Sequence, residues 1–229
     1  MQKILFFLRN KPGQSPAQLS AALASCLQDL CSRCYALRYA IADADVAPAA
    51  ALRINNTAHP KDALVSLWCD HGLALDDVQQ QLAALSDGLQ RYDVFESQPL
   101  KVAEKPGRVE GMCQVALMNR QPALSRKEWL DIWLGSHTEV AIATQSTFSY
   151  RQNITVLAES AGPWPCYEAV VEENFPAAAM TDREVFFAAE GNLSLYREHE
   201  KRMLESCMRF IDFAAFDCIP MSEYILKPL

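Results

Sequence analysis

The sequence predicts an α+β chain built from two tandem βαββαβ halves, residues 1–103 and 111–229, each a ferredoxin-like unit. Three observations predict it. Apolar runs of strand length and apolar stripes of helical spacing follow one another in the same order twice. Landmarks recur at a near-constant offset: Pro12 and Pro122 are 110 residues apart, as are Ser15 and Ser125, and Asp76 and Asp182 are 106 apart. A four-stranded antiparallel sheet with helices on one face has a bare second face. Two such sheets packed through their bare faces bury both, which makes an α/β barrel inside one chain.

In the first half, residues 3–8 read as a buried strand ended by the Asn10-Lys11-Pro12-Gly13 turn. Ser15-Pro16-Ala17-Gln18 opens a helix, with Ser as cap, Pro in the first turn and Gln in the third position. Its apolar face is Leu19, Leu23, Cys26, Leu27, Leu30 and Cys34. Residues 35–41 read as a second strand, 42–62 as a loop and 63–69 as a third strand. A second helix starts near Leu75, with Leu75, Val78, Leu82, Leu85 and Leu89 spaced three and four apart. Asp76 and Asp77 in its first turn complement the helix dipole. Residues 92–102 form the fourth strand, and Glu104-Lys105-Pro106-Gly107 is a linker expected to make few contacts up to Glu110.

The second half repeats the order. Residues 112–118 are a strand, and Ser125-Arg126-Lys127-Glu128 is a capping box for a helix reaching about Ala143. Leu124 and Trp129 form its hydrophobic staple. Trp129, Ile132, Trp133, His137 and Val140 recur at threes and fours, so a histidine lies on the buried stripe one turn beyond Trp133. Strands follow at 148–157 and 167–172, separated by a loop at 161–165. Thr181-Asp182-Arg183-Glu184 reads as a capping box of a short helix, and a longer helix spans about 193–209. Residues 211–218 read as the closing strand, with a tail from 222 to 229.

Composition narrows the function. The 229 residues are 50% hydrophobic and 21% charged, enough for a packed core and too apolar for wholesale disorder. The formal charge is −7, and Lys and Arg are scattered with no basic stripe, so nucleic acid is not an expected partner. The apolar run 4–8 is too short for a signal-peptide core or a membrane span, so no membrane is expected either and the chain reads as cytoplasmic. The eight cysteines then read as thiols. Cys31-Ser32-Arg33-Cys34 closes a helix, where a redox pair would open one, and no second pair exists to complete a zinc site, so no metal is expected. There is no phosphate-binding glycine loop and no Gly-x-Ser-x-Gly elbow.

The second half resembles the EthD family of dimeric α/β barrel proteins over about residues 111–229. The residues that carry the resemblance are Pro122-Ala123-Leu124-Ser125, Glu128-Trp129, Trp133-Leu134-Gly135-Ser136-His137, Tyr150-Arg151-Gln152-Asn153, Phe175 and Phe210-Ile211-Asp212. Family members are single ferredoxin-like units that dimerise through their sheets, so this chain looks like a fused pair, an intrachain dimeric α/β barrel. The sequence departs from the pattern at Ile154, where a further polar residue is common.

The resemblance implies a small, mainly apolar organic ligand and a cofactor-free step of oxidative or decarboxylating degradation, with His137 moving a proton. His137 and Tyr150 are the expected catalytic residues, and Trp133, Arg151, Asn153 and Asp212 the expected ligand-binding ones. The alternative is a non-catalytic binding or accessory protein with a structural His137. A haem protein, as among some relatives, needs an axial ligand as well. On the strand, Arg151 and Asn153 share one face and Tyr150 takes the other. Leu27 stands at the matching place in the first half, which leaves one site per chain. His199 lies in a charge-rich helix and is expected to be solvated. Whether two chains pair as a homodimer is left open.

Overall fold

The computed structural model describes residues 1–57, 59–160 and 165–229. The expected loop at 161–165 therefore falls, apart from Pro165, outside the described residues. The first half runs β1 (Gln2–Arg9), α1 (Pro16–Leu27), β2 (Ala36–Ile41), β3 (Ile54–Asn55), β4 (Ala63–Cys69), α2 (Leu75–Leu85) and β5 (Gly88–Leu100). After β6 (Gly107–Arg108), the second half runs β7 (Met112–Met118), α3 (Arg126–Asp131), a π-helical segment (Ile132–His137), α4 (Thr138–Thr144), β8 (Ser149–Ser160) and β9 (Ala169–Phe175). It ends with α5 (Arg183–Phe186), α6 (Leu193–Met208) and β10 (Asp217–Lys227). The Ser125 capping box with Glu128 and the Ser15 cap form as expected, and the Gln18 side chain completes a capping box at Ser15 as well.

Sheet order explains the barrel. The long strands of the first half pair in the order β5-β1-β4-β2, and those of the second as β10-β7-β9-β8. β5 pairs antiparallel with β8, and β10 pairs antiparallel with β2. The two sheets therefore face each other and are also stitched along both edges, so the eight long strands leave no open edge. Tyr39 and Tyr224 stack across the second seam with ring centroids 4.9 Å apart.

Strand alternation sorts side chains into three layers. Ile4, Phe6 and Leu8 of β1 face α1 and α2, where Leu19, Leu23, Leu27, Val78 and Leu82 close the first outer core. Leu5 and Phe7 point into the barrel with Leu64, Tyr92, Val115 and Ile219. Trp129, Trp133, Ala141, Tyr150 and Phe210 form the outer core of the second half.

One end of the barrel interior is ionic. Lys3 contacts Glu172 and Glu96 at 2.6 and 2.8 Å. Arg38 reaches Glu223 at 3.1 Å and Glu104 at 2.9 Å. Alternating cations and carboxylates keep each buried charge compensated, which the low-dielectric interior demands. The linker is tied to this end rather than making few contacts. Glu104 binds Arg38, the Val109 amide donates to the Glu223 carbonyl, and Arg108 meets Asp45 at 3.2 Å. Charges buried away from water need partners, and the linker supplies some of them.

Four expectations need correction. The closing strand is not 211–218 but Asp217–Lys227, most of it from the expected tail. Asp212 accepts from the Ala214 amide and starts the tight turn Phe213–Ala215, which bars an extended backbone there. Pro220 falls where β10 has ended its pairing with β3 and not yet begun that with β2, so the ladder tolerates it. The loop at 42–62 contains a 3₁₀ helix, Ala44–Leu52, and β3, which reaches across to pair with Asp217 and Cys218 of the second half. The short helix is capped by Asp182, not Thr181, through the amides of Glu184 and Val185. His199 is buried, not solvated, and its Nδ1 donates to the Phe187 carbonyl at 2.6 Å.

Candidate active site

The helix that carries His137 is not a plain α-helix. Gly135, at φ −94° and ψ −107°, breaks the helical path inside the π segment. The wider turn adds a residue to the register: both the amide and the hydroxyl of Thr138 bond the Trp133 carbonyl, the hydroxyl at 2.8 Å. The stripe Trp129, Trp133, His137 survives, but beyond it the buried positions are Thr138, Ala141 and Thr144, and Val140 is only half-buried. The extra residue swings the stripe round by one place, which the regular three-four spacing cannot foresee.

Between this helix, α6 and the outer face of β7, β9 and β10 lies a cavity of about 680 Å³. Its walls are mostly apolar: Trp133, Val171, Met203, Phe187 and Phe216 are among them. Ile54 of β3 also lines it, so the first half contributes a lip to a site built on the second. Arg197, Lys201 and Glu205, all exposed on α6, stand at the mouth. Between α1, α2 and the first sheet, Leu19, Leu23 and Leu27 of α1 pack against Val78 and Leu82 of α2.

His137 borders this cavity and is 5% exposed. Its Nδ1 lies 2.9 Å from Ser206 Oγ, and its ring packs on Phe210 at 4.6 Å. Arg209 donates to the same serine oxygen at 3.1 Å, an arrangement that suits the Ser206 hydroxyl donating to Nδ1 and leaves the imidazole proton on Nε2. Burial, aided by the Arg209 charge, lowers the imidazole pKa from 6.5 to about 4. The ring is therefore neutral at neutral pH.

Tyr150 is buried in the cavity wall. Its oxygen accepts from Trp133 Nε1 at 3.3 Å and from Gln152 Nε2 at 3.2 Å, so its own O–H is the remaining donor. Burial pushes the phenol pKa upward, and the nearby Glu173 charge adds to the shift.

Two residues that sequence reasoning missed complete the polar lining. Glu173 sits directly opposite Tyr150 across the β8–β9 ladder and opposite Gln114 across β7–β9, all on the outer face. Its Oε1 is buried with no hydrogen-bond partner, and burial alone raises its pKa from 4.5 to about 8. Gln145, after the end of α4, also lines the cavity with a buried, unpartnered Oε1. The signal for the first was present in Val170-Val171-Glu172-Glu173: two acidic residues in an apolar strand must place one on each buried face.

The expected residues thus divide into two places. Trp133, His137 and Tyr150 come together in the cavity. Arg151 and Asn153 share the opposite face, inside the barrel. Arg151 pairs with Glu223 at 2.5 Å and Glu172 at 3.5 Å, and Asn153 donates to Glu172 at 3.0 Å. Lys3 and Arg151 together hold the Glu172 carboxyl well below the usual carboxylate range. Asp212 caps its turn and is not in the cavity wall. Among the described residues, no three His, Cys, Asp or Glu side chains are grouped to hold a metal ion. Burial pushes the Cys34 thiol up to about 11, which suits a packing role for the C-x-x-C. No described helix is long and apolar enough to cross a membrane.

No protein-family profile and no curated protein matches this chain. Solved structures do resemble it. An anthrone oxidase-like protein matches with a TM-score of 0.54 at 6% identity, over 98% of this chain and 90% of its own. A provisionally named monooxygenase from Lactobacillus acidophilus NCFM matches with a TM-score of 0.51 at 7% identity, over 99% of this chain and 95% of its own. Another provisionally named monooxygenase, from Fusobacterium nucleatum, matches with a TM-score of 0.50 at 12% identity, over 99% of this chain and 92% of its own. At such identities the likeness shows the shared dimeric α/β barrel fold and says nothing of which side chains act.

Proposed function

We propose that this chain binds a small, mainly apolar organic molecule in the cavity between the second sheet and its helices. We propose further that it modifies that molecule through proton transfer, in an EthD-like oxidative or decarboxylating step that needs no bound cofactor. The observation that carries the reading is the cavity itself. Its apolar walls enclose two buried polar atoms without partners, Glu173 Oε1 and Gln145 Oε1. An unpaired buried polar atom costs about 1–3 kcal/mol, a cost that a ligand with a matching polar group removes. The monooxygenase and oxidase names of the structural neighbours are consistent with such an activity.

Binding of an environment-sensitive apolar dye, with and without the cavity-filling substitution Ala116→Phe, tests the reading. Ala116 lines the cavity from β7. Saturable binding lost in a folded Ala116→Phe variant supports it, whereas binding that survives the substitution places the ligand elsewhere.

The state of His137 favours a second reading, a binding or accessory protein. A buried neutral imidazole anchored to Ser206 is a poor acid near neutral pH and fits a wall residue that orients a ligand by a hydrogen bond. Turnover that is unaffected in His137→Gln, after correction for the folded fraction, excludes the imidazole as the proton carrier.

A further inference from the structure

The cavity wall also holds a carboxyl, Glu173, whose setting differs from those of Glu172 and Glu223 inside the barrel. Glu172, its neighbour in sequence, faces inward and touches Lys3, Arg151 and Asn153. Glu223 touches Arg38, Arg151 and Asn174. Glu173 faces outward into the cavity with no such partner at Oε1. The groups around it are neutral at neutral pH. They are Tyr150 from β8, Gln114 from β7, Cys218 from β10 and Cys207 from α6, while His137 belongs to the same cavity wall. Burial pushes the Cys207 thiol up to about 12, so it does not compete as a base. The cations at the mouth are Arg197 and Lys201 of α6 and Arg183 of α5, the last paired with Glu200 at 2.6 Å. Glu173 Oε1 is buried and unpartnered, no charged group at the mouth offsets its burial, and its residue forms part of the wall of the space a ligand fills.

We propose that Glu173 is the proton-transfer residue of this cavity, exchanging a proton with an acidic O–H or C–H of the bound ligand, while His137 only holds the ligand. This rests on the reading of the cavity as a ligand site. In the forward direction the Glu173 carboxylate takes the proton: the ligand's O–H or C–H bond breaks, an O–H bond forms on Oε1, and the electron pair stays on the ligand. The anion so formed, an oxyanion from an O–H or an enolate from a C–H beside a carbonyl, lies within the cavity walled by Tyr150, whose oxygen already accepts from Trp133 and Gln152 and whose O–H is the remaining donor. A donor aimed at developing charge in a dry site is the arrangement that stabilises such an anion. The carboxyl also has the right basicity. Held at about 8 by burial, it is present in both protonation states near neutral pH, where an ordinary glutamate is almost wholly ionised.

The test uses β-naphthol, an apolar molecule with one acidic O–H, whose fluorescence distinguishes the neutral form from the naphtholate. Light makes the bound naphthol a stronger acid, and a nearby base takes its proton within the excited-state lifetime. With the intact chain, the naphtholate band of the bound dye is expected to dominate above the Glu173 pKa. In Glu173→Gln the dye should bind but its naphtholate share should fall about tenfold or more. A naphtholate band that survives Glu173→Gln and disappears in His137→Gln makes the imidazole the acceptor and overturns the proposal. Dye that fails to bind the intact chain, or binds equally well to Ala116→Phe, overturns the reading of the cavity instead. Carboxyl-carbon NMR of glutamate-labelled protein supplies an independent measurement without any ligand. The resonance missing from Glu173→Gln should titrate near the raised value, and titration in the ordinary carboxylate range overturns the proposal whatever the dye does.

Discussion

Tyr150 and Arg151 are adjacent in sequence and stand on opposite sides of the barrel wall. The Tyr150 hydroxyl lines the outer cavity, bonded by Trp133, and the Arg151 guanidinium is buried inside the barrel, 2.5 Å from Glu223. Substitutions at the two positions should therefore separate binding from stability. Arg151→Met leaves Glu172 and Glu223 short of a cation and should cost about 3–5 kcal/mol in urea unfolding, with ligand affinity falling only as the folded fraction falls. Tyr150→Phe leaves the buried Trp133 Nε1 without its acceptor and should cost about 1–3 kcal/mol, with affinity or turnover falling further than the folded fraction explains.

His137 predicts a loss of stability on the acid side. Its pKa is 6.5 unfolded and about 4 folded, so between those values the unfolded chain binds the extra proton. Stability contributed by the neutral ring is whole above 6.5 and is lost as the pH falls toward 4. The loss is about 3 kcal/mol at full extent. Urea midpoints measured at intervals across this window should fall less steeply for His137→Gln than for the wild type.

Glu173 has the opposite slope and a different window. Its pKa is raised from 4.5 to about 8, so the folded chain holds the extra proton in between, and stability falls as the pH rises through that range. Glu173→Gln removes the dependence. The variant should gain on the wild type by up to a few kcal/mol above pH 8, with little charge-related difference below 4.5. Equal slopes for the two proteins would show that Glu173 is solvated.

Gly111 fixes the entry to β7. Its φ is +88°, and a Cβ built there overlaps the Phe175 carbonyl oxygen at the end of β9. Gly111→Ala meets both backbone strain and a clash with main chain, so it should cost about 2 kcal/mol or more by thermal or urea unfolding.

The fold and half of the site were legible in the order of residues because they depend on local periodicity. Two rounds of βαββαβ, two serine helix caps and the Trp129–Trp133–His137 stripe are properties of spacing, and each formed as the spacing requires. The alternation at 150–153 likewise settled that Tyr150 and Arg151 part company. It could not say which side of the wall holds the ligand, because both sides are buried.

What only the tertiary structure decided follows from contacts between segments far apart in the chain. Edge pairing of β5 with β8 and of β10 with β2 closes the barrel, so one end of its interior holds a cluster of ion pairs in which Arg151 and Asn153 bind carboxylates. The π turn at Gly135 shifts the helix register after His137, and the strand-like run 211–216 yields to the turn capped by Asp212. Glu173 is the clearest case. Two adjacent glutamates look alike in sequence, and desolvation acts on both. Glu172 meets Lys3 and Arg151 and is held ionised, whereas Glu173, without a cation in contact, has its pKa raised to about 8. The sign of a buried carboxyl's shift depends on which charges the fold places beside it, and no spacing within the strand encodes that.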